Sequence, residues 1–379
     1  MPKLERFDVV FEPYQLICLA GQCLQGKLVI VLNADMKMRG VRVRFRGKAH
    51  VYWSEGSGES ERMCVASEEY FDQTEVVLGR APQETNDTVV LPAGQHIFPF
   101  NFMLPHGLPS SFEGKYDCYI RYWVEGIIDK PWKFDHRVKM PFTVVAILDL
   151  NQEPGALTSA QVQDSKTVCC CCCESGPVTC VFRIDRIGYV PGESIVCNAE
   201  ITNNCNRVIW SSKVILYMEI TYKTHDGYKL QERKDIAKLE KGQIPEGRSE
   251  IWSGERILIP PIPPSYLRGC SIITIDYYLM LKVDVADTPY DLELPVKIII
   301  GTIPIQSVVQ HYHMSGQLPG ASVQESQTIT AQPGLDMPTS PPPTYQESVF
   351  GKSSIRDNDD EHTYGDLNYA PAYTYYNWS

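Results

Sequence analysis

The chain has 379 residues, of which 43% are hydrophobic and 21% charged, and its formal net charge is -11. That length leaves room for two cores, because a single hydrophobic core stops growing near ~250–300 residues, and the composition is too apolar for a chain disordered throughout. The acidic balance argues against nucleic acid as a ligand, and no run reaches the ~18 apolar residues of a membrane span.

The N-terminus carries no basic segment leading into an apolar one, as a secretory signal would. Thirteen cysteines are present, five of them consecutive at Cys169, Cys170, Cys171, Cys172 and Cys173. The other eight lack the even spacing of a disulfide framework. Free thiols in a cytoplasmic protein are expected, with Cys197 and Cys270 acting as small buried hydrophobes.

From Phe7 to Gly301 the pattern is strand after short strand. Alternation runs through Lys27 to Leu32, Val41 to Phe45 and Tyr116 to Val124, punctuated by Gly, Pro, Asn and Asp. The stretch Ile236 to Gly242 fits either a short helix or a strand and turn. An internal repeat organises the whole. Ala20-Gly21-Gln22 and the residues to Asn33 align without gaps on Pro191-Gly192-Glu193 and the residues to Asn204, and Leu108-Pro109-Ser110-Ser111-Phe112 is echoed by Pro263-Pro264-Ser265-Tyr266. An all-β fold follows, with two tandem immunoglobulin-type sandwiches. Residues 1–148 form the first, 149–174 a linker with the cysteine run, and 175–304 the second. Past Pro304 the alternation gives way to Gln, Ser, Pro, Gly and Thr, so residues 305–379 read as a disordered tail.

The tail carries the most specific motif, Pro342-Pro343-Thr344-Tyr345. Successive prolines pre-set a polyproline II backbone and lower the entropy cost of docking into an aromatic-lined groove, while Tyr345 fills an adjacent pocket. The form is that of a PPxY ligand for WW domains. Pro371 and Tyr373 make a degenerate second copy with half the preorganisation. Tyr364 and Leu367 fit a short tyrosine-based sorting pattern, which is frequent by chance.

Two further groups have a functional and a plain reading. The cysteine run lacks the paired spacing of a zinc site and is either an S-acylation site or a strand start without chemistry. Arg42, Arg44, Arg46 and Lys48 alternate along one strand and so share a face. That row either grips phosphates of lipids or partners or is the wet side of a sheet paired with neighbouring acids, the plainer expectation. No nucleophile elbow, phosphate loop, metal-ligating pair or dinucleotide turn is present. Neither an enzyme nor a cofactor is expected.

The Tyr14-to-Asn33 strand signature, Phe112-Glu113-Gly114-Lys115-Tyr116 through Gly126, the cysteine cluster running into Ser175-Gly176-Pro177, Gly188 through Glu193, and Leu294-Pro295 through Gly301-Thr302-Ile303-Pro304 together resemble the arrestin domain-containing proteins, or alpha-arrestins. The resemblance implies two arrestin-like sandwiches and a tail whose PPxY recruits WW-domain HECT-type ubiquitin ligases. The sandwiches would engage a membrane receptor or transporter, promoting its ubiquitination, endocytosis and endosomal or lysosomal sorting. It also implies a cytoplasmic protein peripherally associated with plasma membrane and endosomes. Family members commonly carry two full PPxY motifs, whereas the second copy here has lost a proline. The alternative is a structural trafficking coat subunit of the retromer type, acting through the sandwiches alone.

Overall fold

The computed structural model describes residues 3–12, 16–58, 61–79, 88–131, 134–170, 173–289, 291–314, 344–356, 363–365 and 367–378. The first sandwich contains β1 (Leu4–Phe11), β2 (Ile17–Leu19), β3 (Cys23–Leu32), β4 (Met36–Met38), β5 (Gly40–Glu55), β6 (Arg62–Gly79), β7 (Val89–Leu91), β8 (Gly94–Met103), β9 (Phe112–Glu113), β10 (Tyr119–Asp129) and β11 (His136–Val145). One sheet has the order β1-β3-β8 and the other β2-β11-β10-β5-β6, with β9 on β10 and a β4-β7 ribbon beside them. The alternation along β5 turns Val41, Val43 and Phe45 inward, where Phe45 stacks on Phe102 at 4.4 Å. Each fully buried phenylalanine contributes about 1.5–3 kcal/mol of transfer free energy.

The second sandwich contains β12 (Ala160–Cys170), β13 (Cys173–Ile184), β14 (Gly188–Tyr189), β15 (Ser194–Asn203), β16 (Ile209–Lys223), β17 (Lys229–Lys241), β18 (Ser249–Leu258), β19 (Ile273–Val285) and β20 (Leu292–Ile300). Its sheets run β12-β13-β15-β18 and β14-β20-β19-β16-β17. Ile236 to Lys241 is therefore strand, the end of β17. Residues 160–170, expected as linker, also form a strand. Gln161 and Gln163 face outward while Val162 packs on the core, and a period-2 pattern of that kind needs a partner strand, which β13 supplies.

The internal repeat is legible atom by atom. Tyr122 donates to the carbonyl of Pro109 at 2.8 Å, and Tyr277 to that of Pro263 at 2.7 Å. Ser111 Oγ accepts from the amide of Val144 and Ser265 Oγ from that of Ile300, both at 2.9 Å. The amide of Leu19 donates to Gln22 at 3.0 Å and that of Val190 to Glu193 at 2.9 Å. In each copy a glycine in the left-handed region makes the turn, Gly21 at φ 82° and Gly192 at φ 95°.

The two sandwiches share a continuous buried core and a polar seam. Lys115 pairs with Glu232 at 2.6 Å, and Ser271 donates its amide to Glu68 at 3.0 Å. Leu148 donates to Thr302 Oγ1 at 2.7 Å, which ties the exit of the first sandwich to that of the second.

Beyond the second sandwich the described residues include two further ordered stretches. Residues 306–314 form α1 (Gln306–Met314), with Ile305 and Val309 buried. Residues 344–356, 363–365 and 367–378 lie against both sandwiches and include β21 (Thr344–Glu347), β22 (Ser353–Ser354), β23 (Thr363–Tyr364), β24 (Asn368–Tyr369) and β25 (Ala372–Tyr375). Taken alone, this segment cannot bury enough surface to order itself. It orders here because the sandwiches offer it an apolar and hydrogen-bonding partner. Residues 315–343 lie outside the described residues.

Candidate functional site

The site is the seam along which the C-terminal segment crosses both sandwiches. From Leu367 to Tyr373 the large side chains fall on every second residue, so a strand conformation sends Leu367, Tyr369, Pro371 and Tyr373 to one face. That face is buried, with Tyr373 only 1% exposed. Leu367, Tyr369 and Ile355 form a small apolar cluster of their own.

Each buried phenol meets a specific partner, as buried polar groups must. Tyr369 donates to the carbonyl of Phe142 at 3.2 Å and shares a hydrogen bond with Thr143 Oγ1 at 2.9 Å. Tyr373 donates to the carbonyl of Ser111 at 3.0 Å. Tyr376 donates to the carbonyl of Thr302 at 2.8 Å, and its amide donates to that of Pro191 at 3.0 Å. The segment is thus held by the first sandwich through Ser111, Phe142 and Thr143, and by the second through Pro191. Burial pushes all three phenols above their ordinary range, so they remain neutral donors at physiological pH.

Other described residues of the segment are also held by the sandwiches. β23 adds in parallel to the edge of β11, Arg137 opposite Thr363 and Val138 opposite Tyr364. The buried ammonium of Lys139 donates to the carbonyl of Ile355 at 3.1 Å and sits 4.6 Å from the Trp123 ring. Phe350 reaches the second sandwich, where the Lys234 ammonium lies 3.5 Å from its ring. A cavity of about 190 Å³ remains there, lined by Glu113, Lys115, Glu232, Lys234 and Phe350 among others. Glu113 is held through both oxygens by Arg121 at 2.7 and 2.8 Å, although its burial raises its pKa.

The residues singled out from sequence fall unevenly on this frame. Tyr345 lies in β21, paired with Thr374 of β25 and half-buried, while Pro342 and Pro343 lie outside the described residues. Pro371 and Tyr373, read as a weak second ligand motif, are buried anchors. Leu367 of the sorting pattern is buried and Tyr364 half-exposed. The alternating row of Arg42, Arg44, Arg46 and Lys48 lies on the outer face of β5, where the acids of neighbouring strands meet it. Arg42 pairs with Asp129 at 2.9 Å, Arg44 with Asp72 at 2.7 Å and Arg46 with Asp72 at 3.1 Å, while Lys48 lies over Tyr119 and Trp123. The cysteine run spans a β12-β13 hairpin with Cys169 opposite Glu174 and Cys170 opposite Cys173, and Cys171 and Cys172 fall outside the described residues. Cys197 is buried, but Cys270 is partly exposed. The alternation from Leu367 to Tyr373 is the sequence signal for the anchoring tyrosines, and it is a strand signal and not a ligand motif.

Among the described residues no group of His, Cys, Asp or Glu is arranged to hold a metal ion, and no helix is long and apolar enough to cross a membrane. The comparisons with known proteins agree with the paired geometry. The arrestin (or S-antigen) N-terminal domain family matches residues 7–151, and its C-terminal domain family matches residues 174–305. The chain belongs to the alpha-arrestins. It is similar to arrestin domain-containing protein 17 of Caenorhabditis elegans, 31% identical with 99% of this chain and 100% of that protein covered. It is also similar to human arrestin domain-containing protein 4, 31% identical over 80% of this chain and 72% of the relative, and to human thioredoxin-interacting protein, 29% identical over 75% and 71%. As an alpha-arrestin it is a trafficking adaptor that works through protein partners and not an enzyme.

Proposed function

We propose that this alpha-arrestin recruits WW-domain HECT-type ubiquitin ligases through Pro342, Pro343 and Tyr345 and presents them to membrane receptor or transporter cargo held by the sandwiches. Ubiquitination would then send the cargo into endocytosis and endosomal or lysosomal sorting. The observation that carries this reading is a full PPxY motif on the same chain as two arrestin sandwiches. A proline-stiffened peptide on a long tether raises the local concentration of ligase at the cargo without fixing its orientation. The stretch from Ser315 to Pro343 supplies that tether in sequence. A further element of the reading is peripheral attachment to plasma membrane and endosomes, with S-acylation of Cys169 to Cys173 as the anchor, since consecutive thiols permit the dual acylation that stable anchoring requires.

The test is titration of a peptide spanning Met337 to Gly351 into tandem WW domains of a HECT-type ligase. Binding in the micromolar range, about -8 kcal/mol, lost on Tyr345→Ala, supports the ligase reading. No binding by either peptide sinks it. A chain cut after Pro304 that still sorts cargo favours the coat-subunit alternative, in which the sandwiches act alone.

A further inference from the structure

Tyr345 stands at the junction of two incompatible arrangements. In the folded chain Thr344 to Glu347 form an antiparallel ladder with Ala372 to Tyr375, Thr344 opposite Tyr375 and Tyr345 opposite Thr374. Thr344 Oγ1 donates to the carbonyl of Tyr375 at 2.9 Å, and the amide of Ser348 donates to the carbonyl of Pro371 at 2.9 Å. The partner strand is itself fixed to both sandwiches by Tyr373 and Tyr376. The backbone around Tyr345 is therefore locked to a strand that is anchored at each end.

A PPxY peptide bound to a WW domain needs the opposite. Its backbone follows polyproline II, which makes no ladder hydrogen bonds, and its tyrosine ring must leave its own chain to enter the groove of the partner. Thr344 and Tyr345 belong to both arrangements and can satisfy one at a time. We infer that pairing of residues 344–347 with residues 372–375 and capture of the PPxY motif by a WW domain are mutually exclusive, so that the chain withholds its own ligase-binding tyrosine until that ladder opens. This inference rests on the ligase-recruiting reading above.

The consequence is quantitative. The apparent affinity of a WW domain falls by the fraction of chains in which the segment is undocked, so an undocked population of about 1–10% weakens binding roughly 10- to 100-fold. Linkage makes the effect reciprocal, since a bound WW domain must also uncover the edges that residues 344–347 and 372–375 present to each other. A cargo or lipid contact that needs those surfaces would then be coupled to ligase recruitment without touching it.

The experiment compares three species against one tandem WW protein: the full chain, the full chain with Tyr373→Ala and Tyr376→Ala, and the peptide from Met337 to Gly351. The expected result is that peptide and double variant bind alike, and the unmodified chain at least tenfold more weakly. An unmodified chain that binds as tightly as the peptide overturns the inference and leaves the ligase reading standing. A peptide that does not bind removes both. Amide exchange of the unmodified chain gives a readout independent of any variant. Addition of WW domain should accelerate exchange at residues 372–375, and undiminished protection there with the WW domain bound refutes mutual exclusion.

Discussion

The hydroxyl of Tyr376 donates to the carbonyl of Thr302 at 2.8 Å, across 74 residues of sequence. The end of the chain is thereby tied to the residue that follows the second sandwich, within a cluster of Leu148, Leu150, Val190, Ile299 and Ile305. Two other phenols, of Tyr369 and Tyr373, make the equivalent attachment to the first sandwich.

Tyr376→Ala should free the C-terminal segment while leaving the sandwiches folded. An aromatic truncation in a core costs about 3–5 kcal/mol, but here the loss is capped by the docking free energy, because the segment can detach without opening either core. Limited proteolysis should cut residues 363–378 far faster, with the main thermal transition moved by no more than a few degrees. A large drop in that transition would mean that the segment is part of the core.

Gly192→Ala tests the same contact from the other side. The residue has φ 95°, and a Cβ there would collide with the backbone of Tyr376. Left-handed strain costs about 1–2 kcal/mol, and the collision adds release of the segment. Exchange protection at Tyr376 should be lost, whereas Gly227→Ala, at φ 96° with open space around it, should carry the strain alone.

The repeated tyrosines give a paired prediction. Tyr122→Phe and Tyr277→Phe each strand a buried proline carbonyl, at Pro109 and Pro263. Each should cost roughly 1–3 kcal/mol, and the two losses should be alike because the local geometry is the same. Chemical denaturation of the variants measures both, and a difference above ~2 kcal/mol would deny the equivalence of the two copies.

Asp72 supplies a pH dependence with a definite sign. The hydrogen bond from Arg44 holds its carboxyl below the usual carboxylate range, so the folded state takes up its proton later than the unfolded one. Its stabilisation is complete above the ordinary carboxylate pKa near ~4 and disappears as pH falls through the folded value. Asp72→Asn should lower stability at neutral pH and flatten the acid limb of the stability curve. Denaturation midpoints measured from neutral pH down to ~2.5 would reveal an unchanged limb if the pair contributes nothing.

Much of the scaffold is legible in the residues themselves. The glycines at 21 and 192, the prolines at 109 and 263 and the serines at 111 and 265 recur at matching places, because each copy needs the same left-handed turn and the same acceptors for its tyrosine and strand amides. β12 was harder, since Ala160 to Cys170 is polar and alternates weakly, and its strand character depends on lying beside β13.

The sequence by itself determined two β-sandwiches, their order and the presence of a proline-tyrosine motif, since strand periodicity and turn chemistry are local properties. Only the tertiary structure decided what becomes of Tyr345, Pro371 and Tyr373. Their partners at Thr374, Ser348 and Ser111, and the anchors of Tyr376 at Pro191 and Thr302, include atoms up to 262 residues away. A surface assembled from two folded domains can order a segment whose own composition could not offset the entropy of ordering it.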